Sequence, residues 1–211
     1  MHKSIATALA LTLAVAGGAA AGPAPDAAPS LAVPASKNPA AAPAGVYNAD
    51  TNHSSIIARV TWGGGFSWSV VRWGLQKATL NWDPANIGAI KLEAVADAKA
   101  HFAPITYNVT PDGELFLNAA QFPTISFVST GVRQTGPTSA EVTGNLTLKG
   151  QTKPHVMQVE LVGAGRNNQG RPIVGFTGTM TVNRHDYGIT FNANTGRDVQ
   201  LILDATFVGG A

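Results

Sequence analysis

The chain reads as an all-β protein built on an antiparallel sheet. Three observations predict that class: apolar and polar residues alternate with period two in eight segments, glycine-rich turns separate them, and long helical patterns are nearly absent. Successive side chains of a strand point to opposite faces, so strict alternation marks a segment with one buried face and one wet face.

The first such segment sets Ile56, Ala58, Val60 and Trp62 on one face and Ser55, Ile57, Arg59 and Thr61 on the other. Ala78, Leu80 and Trp82 then alternate with Thr79 and Asn81, and Ile90, Leu92 and Ala94 with Lys91 and Glu93. Ile125 and Phe127 flank Ser126, and Val142, Gly144, Leu146 and Leu148 alternate with Thr143, Asn145, Thr147 and Lys149. Met157, Val159 and Leu161 form the next apolar face, then Phe176, Gly178, Met180 and Val182, then Val199, Leu201, Leu203 and Ala205. Leu115 to Gln121, just before Pro123, is predicted as one short helix, and Ala94 to Phe102 fits either a strand end or a helix. Eight antiparallel strands satisfy their pairing as a sandwich or as a closed barrel, and the pattern alone does not choose.

Two segments precede this domain. Residues 1–21 carry Lys3, an apolar run from Ile5 to Val15 and the small-residue site Ala19-Ala20-Ala21. They predict a secretory signal peptide cleaved after Ala21, with export to the periplasm. The run is short for a membrane span and is followed by Gly17 and Gly18. Residues 22–45 are rich in Ala and Pro without aromatic residues, which predicts a disordered linker, and the folded domain is expected at 46–211.

Composition narrows the function classes. Charged residues are 12% of the chain and the net charge is +2, with no run of Lys or Arg, so a phosphate-neutralising stripe is lacking and nucleic acid is an unsuitable partner. The absence of cysteine excludes disulfides, thiolate metal sites, a thiol nucleophile and a lipidated N-terminal cysteine. The histidines show no HxH or HExxH spacing and no Gly-x-Ser-x-Gly occurs, so neither a metal site nor a catalytic residue is expected, and no cofactor is required.

Five stretches resemble the YceI-like family of polyisoprenoid-binding periplasmic proteins. They are Tyr47-x-x-Asp50-x-x-His53-Ser54, Phe122-Pro123-Thr124-Ile125-Ser126-Phe127, the run from Val142 to Pro154, Asn183-Arg184-His185-Asp186-Tyr187-Gly188, and Gly196-Arg197-Asp198-Val199. They run in that family's order from Val46 to the C-terminus. Two stretches depart from it: Gly63-Gly64-Gly65 stands in place of a Gly-x-Phe step, and Thr110 to Glu114 in place of an Asp-x-His-Leu sequence. The resemblance implies an eight-stranded antiparallel lipocalin-like β-barrel with one or two short helices. It implies a polyisoprenoid or ubiquinone-type lipid bound in the lumen, for sequestration or transport, with stress response as one setting. An enzyme acting on such a lipid and a solid-core interaction module are the alternative readings. The partners expected are the isoprenoid lipid, at most a transient membrane-surface contact, and a second copy in a homodimer.

With that barrel in view, Trp62, Trp82, Phe127, His155, Met157, Phe176 and Met180 are candidate lumen residues, because each falls on an apolar strand face. In a filled barrel the same residues would be core. Phe66, Trp68 and Trp73 are candidates for a portal, since indole suits a half-wet boundary. Arg184 and Asp186, two apart, are the best candidates for a charged pair: they share a face on a regular strand and suit either a structural fastening at the barrel's end or a head-group contact by Arg184. Asp50 and His53 are expected to fix the N-terminal strand through hydrogen bonds.

Overall fold

A computed structural model describes residues 34–102 and 110–210. The predicted signal peptide and residues 22–33 of the predicted linker lie outside the described residues. Nine strands follow in order: β1 (Gly45–Ala49), β2 (Ser55–Trp62), β3 (Ser67–Trp82), β4 (Lys91–Phe102), β5 (Thr124–Gln134), β6 (Ser139–Leu148), β7 (Gln151–Arg166), β8 (Pro172–Asn183) and β9 (Thr195–Gly209). Every pairing is antiparallel, from β3–β2–β9–β8–β7–β6–β5–β4, and β4 pairs back onto β3. The sheet therefore closes, and the sandwich alternative is excluded.

Nine strands make eight staves. β2 pairs with one half of β3 and β9, with Ile56 opposite Trp73 and Leu203. β1 pairs with their other half, with Tyr47 opposite Leu80 and Gly209. β1 and β2 are thus one stave broken at residues 50–54. Local hydrogen bonding makes the break. The Asp50 carboxylate accepts from Asn52 N–H at 3.0 Å and meets His53 Nδ1 at 2.8 Å. That His53 contact holds the Asp50 carboxyl below the usual carboxylate range. Ser54 Oγ donates to Asp50 O at 2.7 Å and accepts from Thr206 N–H at 3.1 Å, which ties the break to β9. Asp50 and His53 do fasten the N-terminal stave.

Two expectations are corrected. Leu115 to Gln121 is not a helix but part of a run of turns over residues 111–121. Asn118 sits there at φ 48°, and Asn118 N–H reaches back to Gly113 O at 2.8 Å. So short a segment gains too little from helical bonds to offset nucleation, and a left-handed residue interrupts any helix. Residues 94–102, left open between strand and helix, belong to β4. The helical content among the described residues is four short 3-10 segments.

The second correction concerns the linker boundary. Residues 34–44 are ordered against the barrel. Ser36 and Ala164 exchange backbone hydrogen bonds at 2.9 and 2.8 Å. Ala42 is 0% exposed. Trp82 Nε1–H donates to Ala42 O at 3.1 Å and Tyr47 Oη to Pro43 O at 2.6 Å. This segment is a strap across one end of the barrel. The strap end also carries the β3–β4, β5–β6 and β7–β8 turns. The opposite end, the lip end, carries the β2–β3 hairpin tip, the β6–β7 turn and residues 184–194 between β8 and β9.

Candidate functional site

Period-two alternation turns one residue in two of each stave inward, and the inward set is almost wholly hydrocarbon. It does not fill the barrel. Three voids lie in series along the axis, of about 380 Å3 at the lip end, 70 Å3 in the middle and 90 Å3 at the strap end. The large and middle voids share Ile56, Ile125, Leu146 and Leu201 as walls, and the middle and strap-end voids share Leu92, Met157, Gly178 and Leu203. The largest chamber exceeds by more than tenfold the roughly 10–15 Å3 that one water requires, and apolar space of that size suits an apolar guest rather than water. Its polar lining is confined to Ser69, Arg184, Asn192 and Thr195.

The necks between voids follow from small residues. A Cβ on Gly178 would lie 2.9 Å from Met157 Sδ, so the absence of a side chain there is what seats the methionine. A thioether adapts to irregular space, which makes Met157 a yielding constriction rather than a wall.

The two ends close by different chemistry. At the strap end, Phe176 packs edge-on between Trp82 at 5.5 Å and Phe207 at 6.4 Å between ring centroids. At the lip end, Arg184 is only 4% exposed. Its guanidinium donates to the carbonyls of Gly196, Ile189, Phe191, Asn192 and Thr195, at 2.7 to 3.0 Å. Those five bonds employ all five guanidinium donors. Burial without a counter-ion lowers the Arg184 pKa, but the five carbonyl dipoles solvate the charge. Beside it, Tyr187 is fully buried and its hydroxyl sits 2.8 Å from His155 Nε2. Burial pushes the Tyr187 phenol up to about 12. Burial lowers the His155 pKa, with the Asp186 carboxylate opposing.

The predicted residues separate by level. Phe176 lines the strap-end void with Trp82, Met157 spans the strap-end and middle voids, and Phe127 and Met180 line the middle one. Trp62 and Trp82 do not share a level. Trp62 lines the large chamber at its rim and is 49% exposed. His155 points inward, and Tyr187 and its stacked ring, 6.1 Å between centroids, occupy its Nε2 face. It is a fastening of the lip end rather than a wall of the chambers.

Three portal and pair expectations need correction. Trp73 is buried inside the barrel, where it lines the large chamber and its Nε1–H lies 3.4 Å from Ala98 O. Trp68 lies on the outer face with the Arg59 guanidinium 4.5 Å above its ring. Alternation decides both: Trp62 pairs with Ser67 facing in, so Trp68 faces out and Trp73 in. Phe66 does occupy the lip, at the hairpin tip. Arg184 and Asp186 are not a charged pair: they lie on a 3-10 turn, Arg184–Tyr187, with Asp186 exposed and Arg184 committed to carbonyls. With all five donors engaged, Arg184 has none left for a head group.

Tyr187, Tyr47, Ala58 and Leu201 are not among the candidate site residues read from the sequence. Alternation marks Ala58 and Leu201 as inward but not the level at which they sit. Tyr187 gave no periodic signal because it lies on a turn.

Comparison with known proteins agrees with this geometry. The profile of the YceI-like domain matches residues 47–207. A UPF0312 protein of Vibrio cholerae is 34% identical over 173 residues, covering 79% of this chain and 89% of its own. A UPF0312 protein of Pseudomonas syringae is 44% identical over 94 residues, and the chain spans about half of that relative's length, 48%. Among solved structures, Burkholderia cenocepacia BcnA superposes with a TM-score of 0.65 at 19% identity, covering 75% of this chain and 98% of its own. A polyisoprenoid binding domain from Saccharophagus degradans, implicated in plant cell wall breakdown, gives 0.58 at 13% identity, with coverage of 78% and 98%. On the span of the profile match and the similarity to the Vibrio protein, the chain belongs to the YceI-like family.

Proposed function

We propose that this protein is an exported, periplasmic binding protein that holds one polyisoprenoid or isoprenoid-quinone lipid in its barrel, for sequestration or transport and without covalent chemistry. The observation that carries the reading is the series of apolar voids along the barrel axis, widest at the lip end. A long flexible chain suits three linked voids with an adaptable methionine at the neck, where a compact ligand would use only one. Burial of hydrocarbon is worth roughly 0.8 kcal/mol per methylene, so a chain of many carbons binds without a charged anchor. The likeness to a polyisoprenoid binding domain supports the lipid class. The signal-like residues 1–21 support the compartment.

The test is native mass spectrometry of gently purified protein, solvent extraction of any adduct, and the same measurement on Ala58→Trp. Ala58 faces the large chamber. In an open chamber the indole replaces lipid: the adduct disappears and the unfolding midpoint stays near wild type. In a filled core the same change overpacks, at a cost of about 1–3 kcal/mol to folding. A wild type without extractable lipid, together with a destabilised Ala58→Trp, would sink the proposal.

A further inference from the structure

Exposed aromatic rings are distributed unevenly over this molecule. Among the described residues the exposed ones are Trp62, Phe66, Trp68, Phe102 and Phe191. All five lie at or beside the lip end. Exposed large apolar residues on the rest of the barrel are the scattered valines Val46, Val128, Val156 and Val162. The rings project furthest at the β2–β3 hairpin. Gly63, Gly64 and Gly65 there take φ of 65°, 76° and 112°, a run that side chains other than glycine's rarely adopt. The turn is tied to the β8–β9 connection by Gly64 N–H to Asn194 O at 3.2 Å. It thrusts Phe66 outward, 93% exposed, with Trp68 at 51% behind it.

Charge on this hairpin has one sign. Residues 55–74 include Arg59 and Arg72 and no Asp or Glu. The acidic groups of the lip end lie outside the hairpin: Glu114 by the β6–β7 turn, where Lys149 Nζ donates to its backbone carbonyl at 3.1 Å, Asp186 near His155 of β7, and Asp97 and Asp112 beside Lys99 and His101 on the β4 side. Arg197 and Asp198, at the start of β9, offset each other.

We propose that the β2–β3 hairpin docks the barrel onto an anionic lipid bilayer, with Phe66 and Trp68 entering the interface and Arg59 and Arg72 facing the head groups. A second protein is the weaker fit, because Trp62, Phe66 and Trp68 together offer on the order of 400 Å2, about half of what one side of a standard protein interface buries. Aromatic rings flanked by cationic side chains suit the polar–apolar boundary of a bilayer, where few residues suffice. Trp62 belongs both to this surface and to the large chamber, so docking places the widest part of the lumen against the membrane. The purpose of docking, lipid exchange, rests on the lumen reading; the docking itself does not.

The full chain is mixed with phosphatidylcholine vesicles, with and without phosphatidylglycerol, and the sedimented fraction is measured for wild type, Phe66→Ser, Arg59→Gln/Arg72→Gln and Val46→Ser. Wild type should prefer the anionic vesicles, and Phe66→Ser should weaken binding about tenfold or more, the scale of exposing one buried aromatic side chain. The double arginine variant should lose the preference for phosphatidylglycerol, and Val46→Ser, at the strap end, should bind like wild type. A Phe66→Ser variant that sediments like wild type, or one whose only change is the loss of a dimer in solution, overturns the proposal. Extractable lipid in the same preparations separates the two readings: loaded barrels with unchanged Phe66→Ser sedimentation sink the docking alone, and empty barrels that still sediment sink the lumen alone. Equal thermal midpoints for Phe66→Ser and wild type establish that the fold is intact.

Discussion

The strap end and the lip end terminate the same lumen by opposite means. At the strap end, apolar packing does the closing: Trp82, Phe176 and Phe207 interlock, and residues 34–44 lie across them with Ala42 fully buried. At the lip end one buried cation does it, gathering five carbonyls from residues 189–196. The void left behind is about 90 Å3 in the first case and about 380 Å3 in the second. Interlocking rings fill space because dispersion rewards contact at every atom. A guanidinium organises backbone into an arch around a point and leaves the space beneath the arch open. Polar closure therefore holds a wide chamber at the lip end.

That contrast breaks most readily at Arg184. Arg184→Met keeps the stem's bulk but removes every donor to the arch. Hydrogen bonds to a charged group are worth about 1.5–3 kcal/mol each, and with exposed carbonyls rehydrating, a net loss of about 3 kcal/mol or more is expected. Arg184→Lys retains the charge without the planar fork and should recover less than half of it. Urea unfolding measures both. A loss below about 1 kcal/mol for Arg184→Met would mean that the arch stands without its cation.

The strap is the next test. A chain starting at Gly45, compared with one starting at Pro34, loses the Ser36–Ala164 pair and the bonds to Trp82 and Tyr47. At about 0.5–1.5 kcal/mol per bond, set against the entropy released, the expected loss is about 2 kcal/mol. Thermal unfolding decides, and an unchanged midpoint would return residues 34–44 to the role of a linker.

Titration gives the smallest effects and sharpens the comparison by sign. Burial lowers the His155 pKa, so the folded state favours the neutral ring. Its contribution is complete above the unfolded value near 6.5 and declines as pH falls below that towards the depressed folded value. His155→Gln should flatten this slope. Tyr187 has its folded pKa raised to about 12, so the unfolded chain ionises first and stability falls from about pH 10 up to about 12. Tyr187→Phe should reduce that alkaline loss. Tyr47, under the strap, is raised mainly by burial and offset by the Arg166 charge, so it adds to the alkaline loss alone. Sensitivity to mild acid thus belongs to the lip end, whereas the depressed carboxyls of Asp50 and Glu141 lose their contribution only at lower pH, and a mild-acid slope that survives His155→Gln would contradict the assignment.

The sequence by itself determined the eight staves, since side-chain period two is a local property and needs no partner to be visible. It also determined the inward set that includes Phe127, Met157, Phe176 and Met180. Tertiary structure decided what locality hides. The strap was read as linker because its anchors are the backbone carbonyls of Ala42 and Pro43, which every residue possesses and no sequence pattern reports. Arg184 was assigned to a strand face because a 3-10 turn of four residues is too short to show a period, and its five partners lie 5 to 12 residues further along the chain. Trp68 and Trp73, read together from their proximity in sequence, went to opposite sides of the wall, because only the hairpin register fixes which phase of the alternation faces in. Whether the barrel is filled or hollow was likewise undecided by apolar count. It depends on which side chains meet at one level, and only closure of the sheet brings residues such as Ile56, Leu146 and Leu201 around the same space.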